Sequence, residues 1–181
     1  MSDNSNLAQG SWADAEAMVG QTLSKIEGVD PVSAADIRRK LEVVGLDCPL
    51  HYEEPAAQAQ GYRTLISPAC MMRTWVTPAY WSPGEALTED RALFPPIPIA
   101  LVPGPGDRMF ATGTKTEYLA PVYPGERLTA TAVLKSVTRK SISVGDGAFM
   151  VLETTYTNQD DELVARDELT VFRFQDKEPA T

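Results

Sequence analysis

The stretch from residue 45 to residue 70 holds the side chains of this chain that are best suited to chemistry. His51 is the only histidine among the 181 residues, so any mechanism that uses an imidazole as acid or base must use it. Both cysteines, Cys48 and Cys70, lie in the same stretch. A nucleophilic thiol needs a base or clustered cations beside it, and none is evident, so we interpret both as small buried hydrophobes.

The charge of the chain limits the ligands that it can attract. A net charge of -9 argues against nucleic acid, whose binding needs a basic face. An anionic ligand would need local help from cations, because the chain as a whole repels it. The candidate cations are Arg38, Arg39, Lys40, Arg63 and Arg73. The alternative interpretation is that they are solvated charges on helices and loops.

The composition also bears on compartment and domain organisation. Two cysteines are too few for a disulfide framework, and with one histidine we expect no structural zinc site and no metal. The polar N-terminus lacks the regions of a signal peptide, and no apolar run approaches the roughly 20 residues of a membrane span. We therefore expect a cytoplasmic protein without membrane contact. We divide it into a disordered tail (1–10), one domain (11–176) and a second tail (177–181).

A helix with clear end signals leads into the 45–70 stretch. Ser33 can cap it, and Ile37, Leu41 and Val44 fall on one face at spacings of four and three. Gly45 stands where a C-terminal glycine belongs. The pattern therefore predicts a half-buried helix that delivers the chain to His51.

A second, buried helix is predicted after the stretch. Pro68 can occupy its first turn, and residues 69–76 are largely apolar. Residues 53–60 predict a short surface helix between the two. The remaining predicted elements of this half are a helix over 11–19 and a strand over 21–29.

Residues 77–108 differ in character from both neighbours. Seven of the chain's fourteen prolines lie here, and the apolar residues recur with neither the period of a helix nor that of a strand. The segment also carries Tyr80, Trp81, Phe94 and Ile97, which a polar linker would not need. We predict an ordered overhang that packs over another part of the domain, as lids do.

From residue 109 onward, polar and apolar residues alternate with period two. Strands are predicted at about 109–118, 128–135, 141–157 (bent near the glycines 145 and 147) and 163–174, as an antiparallel meander with turns at 124–125 and 158–161. The fold class is therefore α+β: a curved antiparallel sheet wraps a central helix. Wrapping one helix buries one face of the sheet and leaves the other for a partner.

Several segments together resemble a known family. They are DIRRKLEVVGLDCPLH at 36–51, GYRTLISPACM at 61–71, YLAPVYPGE at 118–126 and NQDDELVA at 158–165. They are similar to the MaoC-like dehydratases of the hotdog fold, in particular to the N-terminal dehydratase branch related to fungal fatty acid synthase. The resemblance covers roughly residues 15 to 175.

The resemblance implies reversible hydration of 2-enoyl thioesters carried on coenzyme A or acyl carrier protein, with no other cofactor. An aspartate and a histidine would activate the water, and the first N–H groups of the central helix would polarise the thioester carbonyl. In this sequence His51 matches the catalytic histidine. Asp47 is the acid closest to the family's aspartate, whose own position holds Leu46. At the central helix the family's common His-Gly pair falls on Pro68 and Ala69, so the glycine is replaced, but the amides of Ala69 and Cys70 could still donate to the carbonyl. Tyr62 and Arg63 could flank the entrance.

Three interpretations remain open at the level of sequence. The chain could hydrate alone, with His51 as base and Asp47 holding the water. It could be the half of a two-hotdog hydratase that has lost its own acid, with Leu46 and Pro68 as the marks of that loss. It could also be a non-catalytic subunit that binds acyl-coenzyme A or acts as a scaffold. A thioesterase is a minor option, because residues 69–76 contain no carboxylate. In each case we expect a homodimer or a heteromer with a second hotdog subunit.

Overall fold

The computed structural model describes residues 7–79, 81–85 and 97–176. Its framework is one antiparallel sheet in the order β1-β3-β4-β5-β2. The strands are β1 (Thr22–Glu27), β2 (Arg108–Tyr118), β3 (Thr129–Ile142), β4 (Gly145–Thr157) and β5 (Leu163–Asp176). The α-helices are α1 (Trp12–Ala17), α2 (Ala34–Val44) and α3 (Glu54–Ala59), and short 3₁₀ turns lie at Pro49–His51, Ala69–Met71, Thr74–Val76 and Pro98–Leu101.

The helix before His51 is formed as the sequence predicts. The Ser33 hydroxyl accepts from the Asp36 N–H at 3.3 Å, and Gly45 ends α2 in the left-handed region with φ 62°. Ile37 and Leu41 are buried against the sheet. The prediction that Val44 shares this buried face is wrong. It is half exposed, because the last turn of α2 projects beyond the core.

The order of the strands differs from the predicted meander. β3, β4 and β5 follow one another through hairpins, but β2 pairs with β5 at the far edge rather than with β3. A crossing from β2 to β3 spans three strand spacings, or about 14 Å. The link over residues 119–128 is long enough for that crossing, and it contains the predicted turn at Pro124 and Gly125, where the Glu126 N–H donates to the Tyr123 carbonyl at 3.1 Å.

The predicted bend at the glycines 145 and 147 is also wrong. The chain reverses one step earlier, at Ser143 and Val144, where Ile142 pairs with Gly145 in a hairpin. The glycines instead permit a close approach of β5. A Cβ on Gly145 would lie 2.2 Å from the Gln175 carbonyl oxygen, and one on Gly147 would lie 2.1 Å from that of Arg173.

The central segment over 69–76 is helical, but it is not one α-helix. It consists of two 3₁₀ turns, with Pro68 as the cap of the first rather than inside it. Met71, Met72 and Trp75 bury their side chains in the core between α2 and the sheet. The segment packs tightly at one point, since a Cβ on Gly28 would lie 2.1 Å from the Trp75 carbonyl oxygen.

The other half of the inner face is covered by α1 and the end of the overhang. Ile99 and Val102 are buried there with Ala15. The buried Arg173 side chain holds the segment by donating to the carbonyl oxygens of Val102 (2.8 Å), Gly104 (2.6 Å) and Gly106 (2.8 and 3.1 Å).

The described overhang therefore packs on the sheet from residue 99 to 106, while Trp81 and Ile97 are 44% and 49% exposed and do not pack as predicted. Tyr80, Phe94 and the tail 177–181 lie outside the described residues. The predicted disordered tail is too long, because Ala8 donates to the Ala100 carbonyl at 2.9 Å and Gln9 pairs with Gly104. No helix in the described ranges is long and apolar enough to cross a membrane.

Candidate functional site

His51 is held in place by backbone groups. It ends a 3₁₀ turn that begins at Pro49, and its Nδ1 lies 2.8 Å from the Ile66 carbonyl oxygen. The Ile66 N–H in turn donates to the Leu50 carbonyl at 3.1 Å. A carbonyl oxygen can only accept, so the neutral ring carries its proton on Nδ1. This leaves Nε2 as the nitrogen that can take a proton.

A cavity of about 410 Å³ lies beside this histidine. His51, Tyr62 and Ala69, three of the predicted site residues, line it together. Most of its remaining wall is apolar and consists of Ile66, Pro68, Met72, Leu119, Ala120 and Val122. A mainly apolar cavity of this size with a few polar groups is typical of a small-molecule site.

Asp47 does not line this cavity. Its exposed carboxylate accepts a hydrogen bond from the hydroxyl of Tyr52 instead. The hydrogen bond that Tyr52 donates to Asp47 stabilises the protonated phenol, and it raises the pKa of Tyr52 to about 12. The structure therefore separates the predicted acid from the predicted base.

Arg63 does not line the cavity either. It forms an ion pair with Glu126 and lies over the ring of Tyr123, with its guanidinium carbon 4.0 Å from the ring centre. Glu126 is buried and also accepts from the Tyr123 N–H at 2.9 Å. Sequence reasoning missed Glu126, although a carboxylate directly after the predicted Pro-Gly turn could have been examined as a turn-stabilising group.

Cys70 opens onto a second, adjoining cavity of about 260 Å³. The prediction that Cys70 is a small buried hydrophobe is wrong, because its side chain is exposed at the start of the central segment. Cys48 is partly buried. Ala69, Met72 and Tyr118 line both cavities and so form the wall between them.

A buried carboxylate anchors the central segment to the sheet. Asp167 Oδ2 accepts from Arg73 at 3.0 and 3.1 Å and from the Tyr156 hydroxyl at 3.0 Å. Burial, with the nearby charge of Asp167, raises the pKa of Tyr156 above its ordinary value. Sequence reasoning missed Asp167. The available indication was a charge at an inward position of a strand, between Ala165 and Leu169.

Within the described ranges, no group of three or more His, Cys, Asp or Glu side chains could hold a metal ion. The polar groups at the first cavity are one imidazole, the hydroxyls of Tyr62, Ser67 and Tyr118, and the backbone at Ala69. Such a set can bind an apolar chain, accept a proton and polarise a carbonyl.

Two sequence comparisons place the chain among known proteins. A family model described as the FAS1-like dehydratase domain region matches residues 17–167. A protein of Thermomonospora curvata described as a probable enoyl-CoA hydratase alpha subunit is 29% identical over 164 residues. The match takes in 90% of this chain and 51% of the relative, so the chain spans about half the length of that protein.

Solved structures show the same fold. The ChsH1-ChsH2 complex from Mycobacterium tuberculosis matches with a TM-score of 0.67 and 21% identity over 92% of this chain and 90% of that one. A MaoC-like dehydratase from Rhodospirillum rubrum matches with a TM-score of 0.55 and 22% identity, over 90% and 94% of the two chains. The predicted α+β hotdog fold is confirmed.

Proposed function

Because the chain belongs to the MaoC-like dehydratases, in the family of FAS1-like dehydratase regions, we propose that it is one subunit of a hydratase that adds water reversibly to 2-enoyl thioesters. The second subunit would be another hotdog domain. The observation that carries the proposal is the placement of His51, whose Nδ1 is bound to the Ile66 carbonyl while the side chain lines an apolar cavity.

In the proposed reaction, the acyl chain occupies the cavity with its thioester carbonyl at Ala69. His51 Nε2 takes a proton from water as the water oxygen bonds to C3. The C2–C3 π electrons move toward the carbonyl, and the N–H groups of Ala69 and Cys70 stabilise the charge on its oxygen. C2 then takes up a proton while the protonated His51 gives one up, which restores the neutral ring, and loss of water runs through the same steps in reverse.

The position of Asp47 supports a requirement for a partner. With its carboxylate bound to Tyr52, Asp47 lies outside the cavity, and no carboxylate of the described residues lines the cavity beside His51. This edge of the sheet offers a place for another subunit, because β2 is exposed along most of its length and, among the described strands, pairs with β5 alone. The solved relatives include the ChsH1-ChsH2 and HadBC complexes.

Two variants of His51 test the catalytic role. His51→Asn keeps an N–H that can reach the Ile66 carbonyl but removes Nε2, whereas His51→Ala removes both. If Nε2 is the base, both variants lower hydration of crotonyl-CoA by a factor of about 10² to 10⁴, measured as loss of enoyl absorbance with and without the partner subunit. Activity of His51→Asn within about threefold of the wild type would exclude this role.

A non-catalytic subunit that binds acyl thioesters is the second candidate, and the position of Asp47 favours it. In that case the complex would hydrate at the same rate with either His51 variant, while the chain would still bind a saturated acyl thioester. Sedimentation tests the assembly common to both candidates. A chain that stays monomeric and is fully active alone would contradict the partner requirement.

A further inference from the structure

We infer that the described part of this chain binds only the uncharged end of its thioester ligand, with the pantetheine arm in the second cavity, and that it supplies no cation for the phosphates of coenzyme A. Pantetheine is the amide-bearing arm shared by coenzyme A and acyl carrier protein. The inference rests on the proposed function, since it begins from a thioester at Ala69.

The two cavities meet where the thioester would lie. Ala69 lines both, with Met72 and Tyr118 as the rest of the shared wall. The reacting carbons C2 and C3 adjoin the carbonyl and must lie next to His51, which lines only the first cavity. The acyl group therefore occupies the first cavity, and the sulfur with its arm leads into the second.

The second cavity has the polarity that an amide-bearing arm requires. Its walls carry the hydroxyls of Thr114 and Thr116 on β2, together with the exposed Cys70 thiol. Hydroxyl groups both donate and accept, so they match an amide, which offers one N–H and one carbonyl. The first cavity, by contrast, is mainly apolar and suits an acyl chain.

The charges near the cavities are already compensated. Arg73 lines the second cavity but is held by Asp167, whose side chain is 8% exposed. Arg63 is held by Glu126, whose side chain is 6% exposed. If either guanidinium moved to a phosphate, a buried carboxylate would lose its partner. The free-energy cost of that unpaired carboxylate is larger than the gain from an exposed contact with a phosphate. No Lys or Arg of the described residues lines the first cavity.

The test compares two ligands that cannot be hydrated, hexanoyl-coenzyme A and hexanoyl-pantetheine, by calorimetry on the isolated full chain. We expect dissociation constants within about threefold of each other, and little change between low and high salt. Tighter binding of the coenzyme A ligand by about tenfold or more, weakening as salt rises, would overturn the inference and leave the proposed function standing. Failure of both ligands to bind, both to the chain alone and in the presence of the partner subunit, would overturn the proposed function itself.

A matched pair of substitutions on one strand tests the place of the arm. Thr116→Val removes a hydroxyl from the second cavity at nearly constant volume. We expect it to weaken both ligands equally, by about three- to tenfold, as for one lost hydrogen bond. Thr112→Val is the control, since the Thr112 hydroxyl donates to the Thr170 carbonyl instead and does not line the cavity. Equal affinities of Thr116→Val and Thr112→Val for both ligands would exclude the arm from this cavity.

Discussion

The link between Arg73 and Asp167 holds the central segment on the sheet, and a pair of substitutions can measure its strength. The two 3₁₀ turns over 69–76 lack the hydrogen-bond ladder of an α-helix, so their position depends on side-chain contacts. Arg73→Met keeps most of the aliphatic stem and removes the guanidinium. Asp167→Asn keeps the shape of the acceptor and removes its charge.

The expected loss follows from the geometry. Arg73→Met removes two of the three hydrogen bonds on Asp167 Oδ2 and leaves only that from Tyr156. Breaking a fully buried ion pair costs about 3–5 kcal/mol. Since the Arg73 side chain is 68% exposed, solvent screens part of the pair, and we expect a loss of about 2 kcal/mol in the free energy of unfolding.

Asp167→Asn leaves Arg73 able to turn into solvent and should cost about 1 kcal/mol. The double variant lacks the unpaired Asp167 carboxylate that Arg73→Met leaves behind, so it should also cost about 1 kcal/mol. These values correspond to a coupling energy of about 2 kcal/mol between the two side chains.

Urea unfolding at neutral pH measures these values. If the slope of the unfolding free energy against urea concentration is unchanged, the variant has altered stability alone. A loss of 2 kcal/mol corresponds to a fall of about 4–8 °C in Tm for a chain of this length. Arg38→Met is the control, because Arg38 pairs with Glu42 on the exposed face of α2 and should change stability by less than about 0.5 kcal/mol. Equal effects of Arg73→Met and Arg38→Met, or additive single losses in the double variant, would refute the reasoning.

Two further predictions concern the overhang and the loop at Asp47. Arg173→Met leaves three buried carbonyl groups without their donor, and it should lower the free energy of unfolding in urea by about 3 kcal/mol. Arg139 is exposed, so Arg139→Met is the control and should cost less than about 0.5 kcal/mol. Equal losses in the two variants would contradict the anchoring role of Arg173. Tyr52 should ionise only near pH 12, so its contribution to stability is complete below about pH 10 and is lost as the pH rises through 12. In Asp47→Asn, phenolate absorbance should show one tyrosine titrating near pH 10 instead, and an unchanged titration would place Asp47 elsewhere.

The elements that local chemistry determines could be predicted from the sequence. The capped helix α2 is one example, because Ser33 and Gly45 act on backbone groups within their own turns. The period-two strands from residue 109 are another, since alternation is a local property of a sheet with one buried face.

The parts that depend on distant contacts could not be predicted. Strand order requires knowing that β2 prefers β5 to β3, and alternation along a single strand contains no such information. The central segment reads as an α-helix by its apolar composition. In the structure it forms 3₁₀ turns instead. Its Trp75 carbonyl packs against Gly28, which lies 47 residues away, and its Arg73 binds Asp167, which lies 94 residues away.

The histidine and the acid of the 45–52 loop are placed by different kinds of contact. His51 is held by the carbonyl of Ile66, and Ile66 is held by the carbonyl of Leu50, so its position depends on backbone groups that any sequence provides. An acid must be placed by its own side chain, and a displacement of one residue changes what that side chain meets. Asp47 meets Tyr52. The loop can therefore keep the imidazole in position while the carboxylate lies away from it, and under the proposed function the second group on the water would come from another subunit.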